Sequence, residues 1–431
     1  MSKIFIQIAA YRDPQLVPTI KDCIANADQP ENLHFCVAWQ HGPGDTLGEL
    51  STDPRITVID IPYQSSKGAC WARNQIQQRY AGEEYTMQLD SHHRFAPNWD
   101  KSCIGMINQL KAMGHAKPLL TGYMPSFDPD NDVASRVNVP WKMNFDRFIP
   151  EGAVFFLPAA IDEYNTLNAP VPARFYSGHF CFTIGSFCND VQHDPNYYFH
   201  GEEISIAARA YTHGYDLFHP NVLIAWHEYT RKGRAKHWDD HTASARDLID
   251  DKKDWGQRNT DCHKRNRCLF SMDGEKYESI DWGKYGFGSI RTLRDYEKYT
   301  GLNFSKRAVQ KETIENKYAP NPWWNFKTDE EWEASFLSIF KHCIDLPLAK
   351  FPRDDYDFWC VVFEREDGTL VHRSDVNEAE SALLLSEAKN PRGDKYIKLW
   401  REFQCEGKPA RWVVWPHSRS GGWGERIVGG L

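Results

Sequence analysis

The sequence predicts an α/β protein: a mainly parallel sheet flanked by helices, followed by a smaller β-rich region. Three observations carry this. Strand-like and helix-like segments alternate through the first third of the chain. The strand candidates there are near-continuous apolar runs, as expected of strands buried on both faces. Beyond about residue 328 the pattern changes to short segments resembling antiparallel strands.

Residues 4–10 form the first apolar run, and Tyr11-Arg12-Asp13-Pro14 is its exit loop. A helix is expected over residues 18–25, with Leu16, Ile20 and Ile24 sharing one face. Strands follow at residues 33–40 and 56–63, a helix at 68–80 and a strand at 85–90. A helix at 98–113 and a strand at 118–124 complete the alternation. Residues 125–168 are rich in Pro, Asp and Asn and read as a mobile loop region. Order returns over residues 174–184, then a helix at 201–213 and short strands at 216–219 and 223–228. The charge run 247–254 reads as a solvated helix end or linker, and 285–299 as a helix. Strands at 358–365, 369–373 and 411–415 mark the β-rich region. The expected organisation is therefore a catalytic-type α/β domain over residues 1–328 and an accessory domain of unknown role over 329–431.

Bulk composition narrows the function classes. Hydrophobic residues at 41% and charged residues at 26% fit a globular chain and not a disordered one. A net charge of −8 argues against a broad nucleic-acid footprint, so no nucleic-acid partner is expected. No apolar run reaches membrane-spanning length, and the opening Met-Ser-Lys lacks a signal-peptide pattern. Aromatics reach 14%, with 16 Trp, which serve core filling or stacking surfaces for sugars and bases. Eleven Cys without a pairing pattern read as reduced thiols, and the expected location is cytoplasmic. Cys262-His263 with Cys268, placed on a basic loop, lacks a fourth ligand for zinc.

The chemistry starts at Asp90-Ser91-His92. In extended chain Asp90 and His92 project to the same side and Ser91 to the other. A carboxylate and an imidazole at a strand end form half of a divalent metal site, open to a ligand such as a diphosphate. In open α/β sheets the ligand crevice lies beyond the carboxyl ends of the strands, which also places Tyr11-Arg12-Asp13 there. His227, at the end of the run Val222 to Trp226, is either a structural histidine or a third ligand, and in the second case the set of one carboxylate and two imidazoles suits Mn²⁺ more than Ca²⁺. Glu202 and Glu203 open a helix. That position suits them electrostatically, or one of them serves a substrate hydroxyl. Gly178 and His179, among Phe175, Tyr176 and Phe180, permit close backbone approach to a sugar or mark a strand bulge. Arg73 and Asn74 either reach a nucleotide or pin the crevice wall. Arg231 and Lys232 follow His227 and add positive charge for a phosphate.

In series these motifs resemble the cytoplasmic-type polypeptide α-N-acetylglucosaminyltransferases, more distantly related to mucin-type N-acetylgalactosaminyltransferases. The matching stretches are Ile6-Gln7-Ile8-Ala9-Ala10-Tyr11-Arg12-Asp13, residues 68–74, Gln88-Leu89-Asp90-Ser91-His92-His93-Arg94-Phe95 and Ser177-Gly178-His179-Phe180. Tyr198-Phe199-His200-Gly201-Glu202-Glu203 and Gly288-Ser289-Ile290-Arg291-Thr292, with Asp295-Tyr296, continue the likeness, which spans roughly residues 3–305. The resemblance implies a GT-A fold, a UDP-sugar donor, a divalent cation (Mn²⁺ or Mg²⁺) and retention of anomeric configuration. It also implies a protein or peptide acceptor and N-acetylglucosamine as the sugar. Carried over by position, Asp90, His92 and His227 hold the metal. Ala10, Tyr11 and Arg12 line the uridine pocket beside Arg73. Ser91, Gly178, His179 and Arg231 complete the donor site, and Glu202 or Glu203 faces the reacting groups. An inverting transferase with a lipid or polysaccharide acceptor, or a non-catalytic sugar-nucleotide-binding protein, are the alternative readings. A nucleotidyltransferase is disfavoured because no Gly-rich phosphate loop with Lys is present.

Overall fold

The computed structural model describes residues 2–131, 133–231, 233–389 and 395–431. The chain forms two compact units. The first comprises Met1–Arg307 with Glu312–Asn325, and the second Ala308–Lys311 with Phe326–Leu431.

The first unit opens with β1 (Ile4–Tyr11), α1 (Leu16–Ala25), β2 (Leu33–His41), β3 (Ile56–Pro62), α2 (Ala69–Gln77) and β4 (Tyr85–Asp90). Next come β5 (His93–Phe95), α3 (Trp99–Ala112), β6 (Pro118–Thr121), β7 (Trp141–Phe148), β8 (Val154–Ala160), β9 (Val171–Pro172) and β10 (Phe180–Ile184). The short α4 (Phe187–Asp190) precedes α5 (Glu202–Thr212), β11 (Asp216–His219), β12 (Ala225–His227), α6 (His237–Asp240), α7 (Trp255–Leu269) and α8 (Leu293–Thr300).

Eight strands form the central sheet in the order β3-β2-β1-β4-β10-β6-β11-β9. Strands β3, β2, β1 and β4 are parallel, as are β6 and β11. Strand β10 runs antiparallel between β4 and β6. The alternation along β1 shows why both sides are covered. Ile4, Ile6, Ile8 and Ala10 enter the core built with α1 and α3, where Ile20, Trp99 and Ile107 are buried. Phe5 faces the opposite core with Ala72 and Ile76 of α2. The class is the one the sequence predicts: an α/β protein with a mainly parallel sheet, flanking helices and additional β structure.

The register of β1 on β4 sets Ala9 beside Asp90, so the loops after both strands open into one crevice. A second ladder completes it. Strands β5 and β12 pair antiparallel with His93 opposite His227, which returns a residue from far along the chain to the end of β4.

Three sequence expectations are corrected. The stretch 125–168 is not simply a loop, because β7 and β8 form a hairpin within it, from Trp141 opposite Ala160 to Phe148 opposite Val154. Its Pro and Asp content masks the buried Met143, Phe145, Val154 and Phe156. Cys262, His263 and Cys268 lie on α7, not on a loop. That helix is capped by Asp254, whose side chain accepts from the Gln257 N–H at 2.9 Å, so the run 247–254, read as a solvated helix end or linker, leads into a helix start. Cys262 and Cys268 are six positions apart and project from different sides of the helix, and among the described residues they form no metal-holding group. The helix expected over residues 285–299 begins only at Leu293, after a capping box between Thr292 and Asp295.

In the second unit, Tyr356–Glu364 pairs with Leu370–Arg373 and Arg411–Ser418 in one sheet, and Ser338–Pro347 pairs with Tyr396–Cys405. The helix Glu378–Ala388 supplies Leu385 and Ala388 to a core with Trp359, Val361, Phe363 and Leu399. Among the described residues no helix is long and apolar enough to cross a membrane.

Candidate active site

Asp90 ends β4, and His92 lies just beyond it, on the short link to β5. Asp90 Oδ2 and His92 Nε2 are 3.7 Å apart, and His227 Nε2 lies 3.6 Å from the same carboxylate oxygen. Asp90, His92 and His227 thus offer one ligand atom each, all within 4.8 Å of one another. Donor atoms about 2.1 Å from one cation stand roughly 3–3.5 Å apart, so a small contraction closes the set. His227 strengthens the fit. It is buried, and among the described residues neither ring nitrogen has a hydrogen-bond partner, an arrangement that costs free energy unless something is bound. Burial also holds its pKa well below the ordinary value, keeping the imidazole neutral and able to donate a lone pair.

The neighbours orient these three side chains. Asp90 Oδ1 accepts from Arg73 Nη2 at 2.8 Å. Burial raises the Asp90 pKa, but contact with His227, Arg73 and His92 outweighs it and holds the carboxyl well below its usual range. His92 Nδ1 lies 2.8 Å from Asp13 Oδ2, and that oxygen also accepts from Ser91 Oγ at 2.7 Å. His179 stacks on His227 with ring centroids 4.2 Å apart, while its Nε2 accepts from the Met124 N–H.

Two cavities meet at this cluster, of about 190 and 380 Å³. Both are lined by Arg73, Asp90, Phe199, His227, Tyr229 and Arg231. The first extends past Ala9, Tyr11, Gln40 and Gly68 to Lys236 and Trp238. The second extends past Gly178, His179, Glu202 and Glu203 to the hairpin residues Val154 to Pro158.

The remaining expected residues divide by position. Tyr11 lines the first cavity and donates to Asp240 Oδ2 at 2.8 Å. Arg12 turns away from it, with φ of 46°, and pairs with Asp240 at 2.7 Å. Ala10 points into the core, and Ala9 takes the crevice position. Ser91 lines the crevice. Arg231 packs against Phe199 and Trp238. Lys232 lies outside the described residues.

The two glutamates of α5 separate clearly. Glu202 is buried, accepts from Arg73 Nη1 at 2.6 Å and contacts Cys70 Sγ. Cys70, His193 and Glu202 form a second group of potential donors, yet burial pushes the Cys70 thiol well above its ordinary pKa and keeps it protonated, which disfavours a cation there. Glu203 faces the second cavity, accepting from the Gly178 N–H at 2.8 Å and Tyr123 Oη at 3.1 Å.

A Cβ at Gly178 would stand 2.5 Å from Glu202 Oε1, an atom fixed by its ion pair. Gly178→Ala is therefore expected to destabilise the protein by about 1–3 kcal/mol, seen as a lowered midpoint in thermal unfolding. An unchanged midpoint would show that Glu202 moves freely.

Sequence reasoning missed Asp13 as a partner of His92, although it stood within a quoted motif. It also missed Tyr123, Gln88, Glu228 and Arg234. Tyr123 and Arg234 carried no local signal, since they meet Glu203 and Asp13 across 80 and 221 positions. Gln88, which donates to the Gly178 carbonyl at 2.8 Å, stood within a quoted motif, and Glu228 stood beside His227.

Comparisons with known proteins add the family. Similar solved structures include GalNAc-T7 with UDP, GalNAc and Mn²⁺, at 12% identity, covering 88% of this chain and 68% of that one, with a TM-score of 0.43. Another is S. aureus TarS 1–349, at 12% identity, covering 62% of this chain and 72% of that one, with a TM-score of 0.35. No curated protein matches the sequence. The profile of the family described as Glycosyltransferase (GlcNAc) matches residues 3–53 and 47–306. That match covers well over half of the sequence, and the chain belongs to this glycosyltransferase family.

Proposed function

We propose that the protein is a metal-dependent, retaining glycosyltransferase. In this reading it moves N-acetylglucosamine from UDP-N-acetylglucosamine to a hydroxyl of a protein or peptide. The observation that carries the proposal is the convergence of Asp90, His92 and the unpartnered His227 where two cavities meet. The residues present fit Mn²⁺ or Mg²⁺, which would supply Lewis-acid stabilisation of the departing diphosphate.

The first cavity takes the nucleotide, with Tyr11 and Gln40 along its wall. The second takes the sugar and the acceptor hydroxyl. Arg231, reaching both, places positive charge beside the diphosphate. Arg73 bridges Asp90 and Glu202, tying the end of β4 to the start of α5. Glu203 holds a hydroxyl of the sugar or acceptor. The acceptor oxygen bonds to the anomeric carbon on the face from which the diphosphate leaves. Its proton passes to the departing phosphate oxygen.

We assign this chemistry to residues 1–328 and an accessory role to 329–431. The eleven cysteines, all free thiols, support a reducing, cytoplasmic setting.

The test is a panel of UDP-sugars with Mn²⁺ and a hydroxyl-bearing peptide library, reading released UDP and the anomeric configuration by NMR. UDP-N-acetylglucosamine should be consumed, chelation should abolish the reaction, and the product should carry the α-linkage. Release of UDP from none of the donors would overturn the proposal, and a β-linked product would make the enzyme inverting.

A further inference from the structure

His92 is held by a network that no ligand assignment explains. Asp13 Oδ2 accepts from three donors on two segments: Ser91 Oγ at 2.7 Å, His92 Nδ1 at 2.8 Å and Arg234 Nη1 at 2.7 Å. Arg234 Nη1 also contacts His92 Nδ1, and Nη2 lies 3.2 Å from Glu228 Oε2. The side chains of Asp13, Arg234 and Glu228 are only 3%, 8% and 4% exposed. Three charged groups so buried would be costly unless paired, and here they compensate one another.

The contacts fix a ring edge. Asp13 Oδ2 and Arg234 Nη1 both meet His92 Nδ1. The other nitrogen, Nε2, is thereby turned to face Asp90. The guanidinium keeps Asp13 charged in a buried setting. It also fastens the segment after β12 to the loop after β1, across 221 positions of sequence. Glu228 anchors that segment from within, accepting from the Arg231 N–H at 2.8 Å. The crevice wall contributed by Arg231, Ala235, Lys236, His237 and Trp238 therefore depends on the same clamp.

We propose that Asp13 and Arg234 are a coupled positioning pair, setting the orientation of His92 and pinning the segment after β12 against the crevice. This rests on the reading of Asp90, His92 and His227 as cation ligands. Partners that orient a ligating histidine typically govern cation affinity by about 10–100-fold when lost.

The test is titration of the full-length protein with Mn²⁺ alone, followed by electron paramagnetic resonance, with thermal unfolding in parallel. Asp13→Asn and Arg234→Gln should each weaken Mn²⁺ binding by roughly 10–100-fold. The double variant should lose little beyond the weaker single, because both residues act through one imidazole. Arg234→Lys, keeping the charge, should recover part of the affinity. Asp13→Asn, nearly isosteric, carries the test should Arg234→Gln fail to fold. Wild-type affinity in both single variants would overturn the proposal, as would a double-variant loss equal to the product of the single losses. A wild-type protein with no site sensitive to Asp90→Asn would instead overturn the ligand reading, and the pair with it.

Discussion

Asp90→Asn is expected to lower turnover by about 10³-fold at saturating donor while the fold survives. The substitution keeps the size of the side chain and an oxygen able to accept from Arg73, but removes the negative charge. In the native site that charge is secure through the neutral range. Burial raises the Asp90 pKa, and the stronger opposing contributions of His227, Arg73 and His92 bring it well below normal. A cation bound between one carboxylate and two imidazoles would lose its only anionic ligand. Stabilisation of a developing diphosphate by a bound cation is worth several kcal/mol, and about 4 kcal/mol corresponds to a factor near 10³. The fold should hold because Arg73 retains Glu202 at 2.6 Å and is not left unpaired. UDP release measured beside the thermal midpoint separates the two effects. A variant working at the wild-type rate would remove Asp90 from the chemistry.

How far the sequence reveals this site depends on how local each contact is. The parallel strands were legible because burial on both faces writes a continuous apolar run into each of them. Asp90 and His92 were legible because a period of two sets both on one side of a strand end. The same periodicity separates Ala9 from its neighbour. Ala10 falls in the core, a parity that motif matching does not register. His227 reaches the site only through the β5–β12 ladder, so its place follows from tertiary pairing. The hairpin that walls the second cavity was hidden in chain rich in breakers, where a few buried aromatics outweigh local propensity. Arg234 offered nothing to read. Its partner lies 221 positions away, and an arginine in a loop is ordinary by itself. Glu202 and Glu203 could not be told apart in sequence because both open the same helix. A rotation of about 100° per residue sends one to the Arg73 ion pair and the other to the cavity.

That rotation makes Glu203 the second residue with a large expected effect. Its pKa is raised from 4.5 to about 7. Burial is the main cause and the Glu202 charge adds to it, while the Gly178 N–H and Tyr123 hydroxyl oppose them. The sign for stability follows. The folded state holds this proton more tightly than the unfolded chain does. The contribution is therefore fully present below pH 4.5 and is lost as pH rises through about 7. Glu203→Gln, which cannot ionise, should gain in thermal midpoint relative to wild type at pH 8. Activity should move the other way. The carboxylate accepts from a substrate hydroxyl more strongly than the neutral acid or an amide does, so wild-type kcat/KM should climb through pH 7 to a plateau. Glu203→Gln should be flat and about 10²-fold slower at pH 8. Opposite trends in stability and rate, sharing one midpoint and vanishing together in one variant, point to a single carboxyl and not to a general pH effect. A bend in the rate profile that persists in Glu203→Gln belongs to another group, and Glu203 then plays no part in handling the hydroxyl.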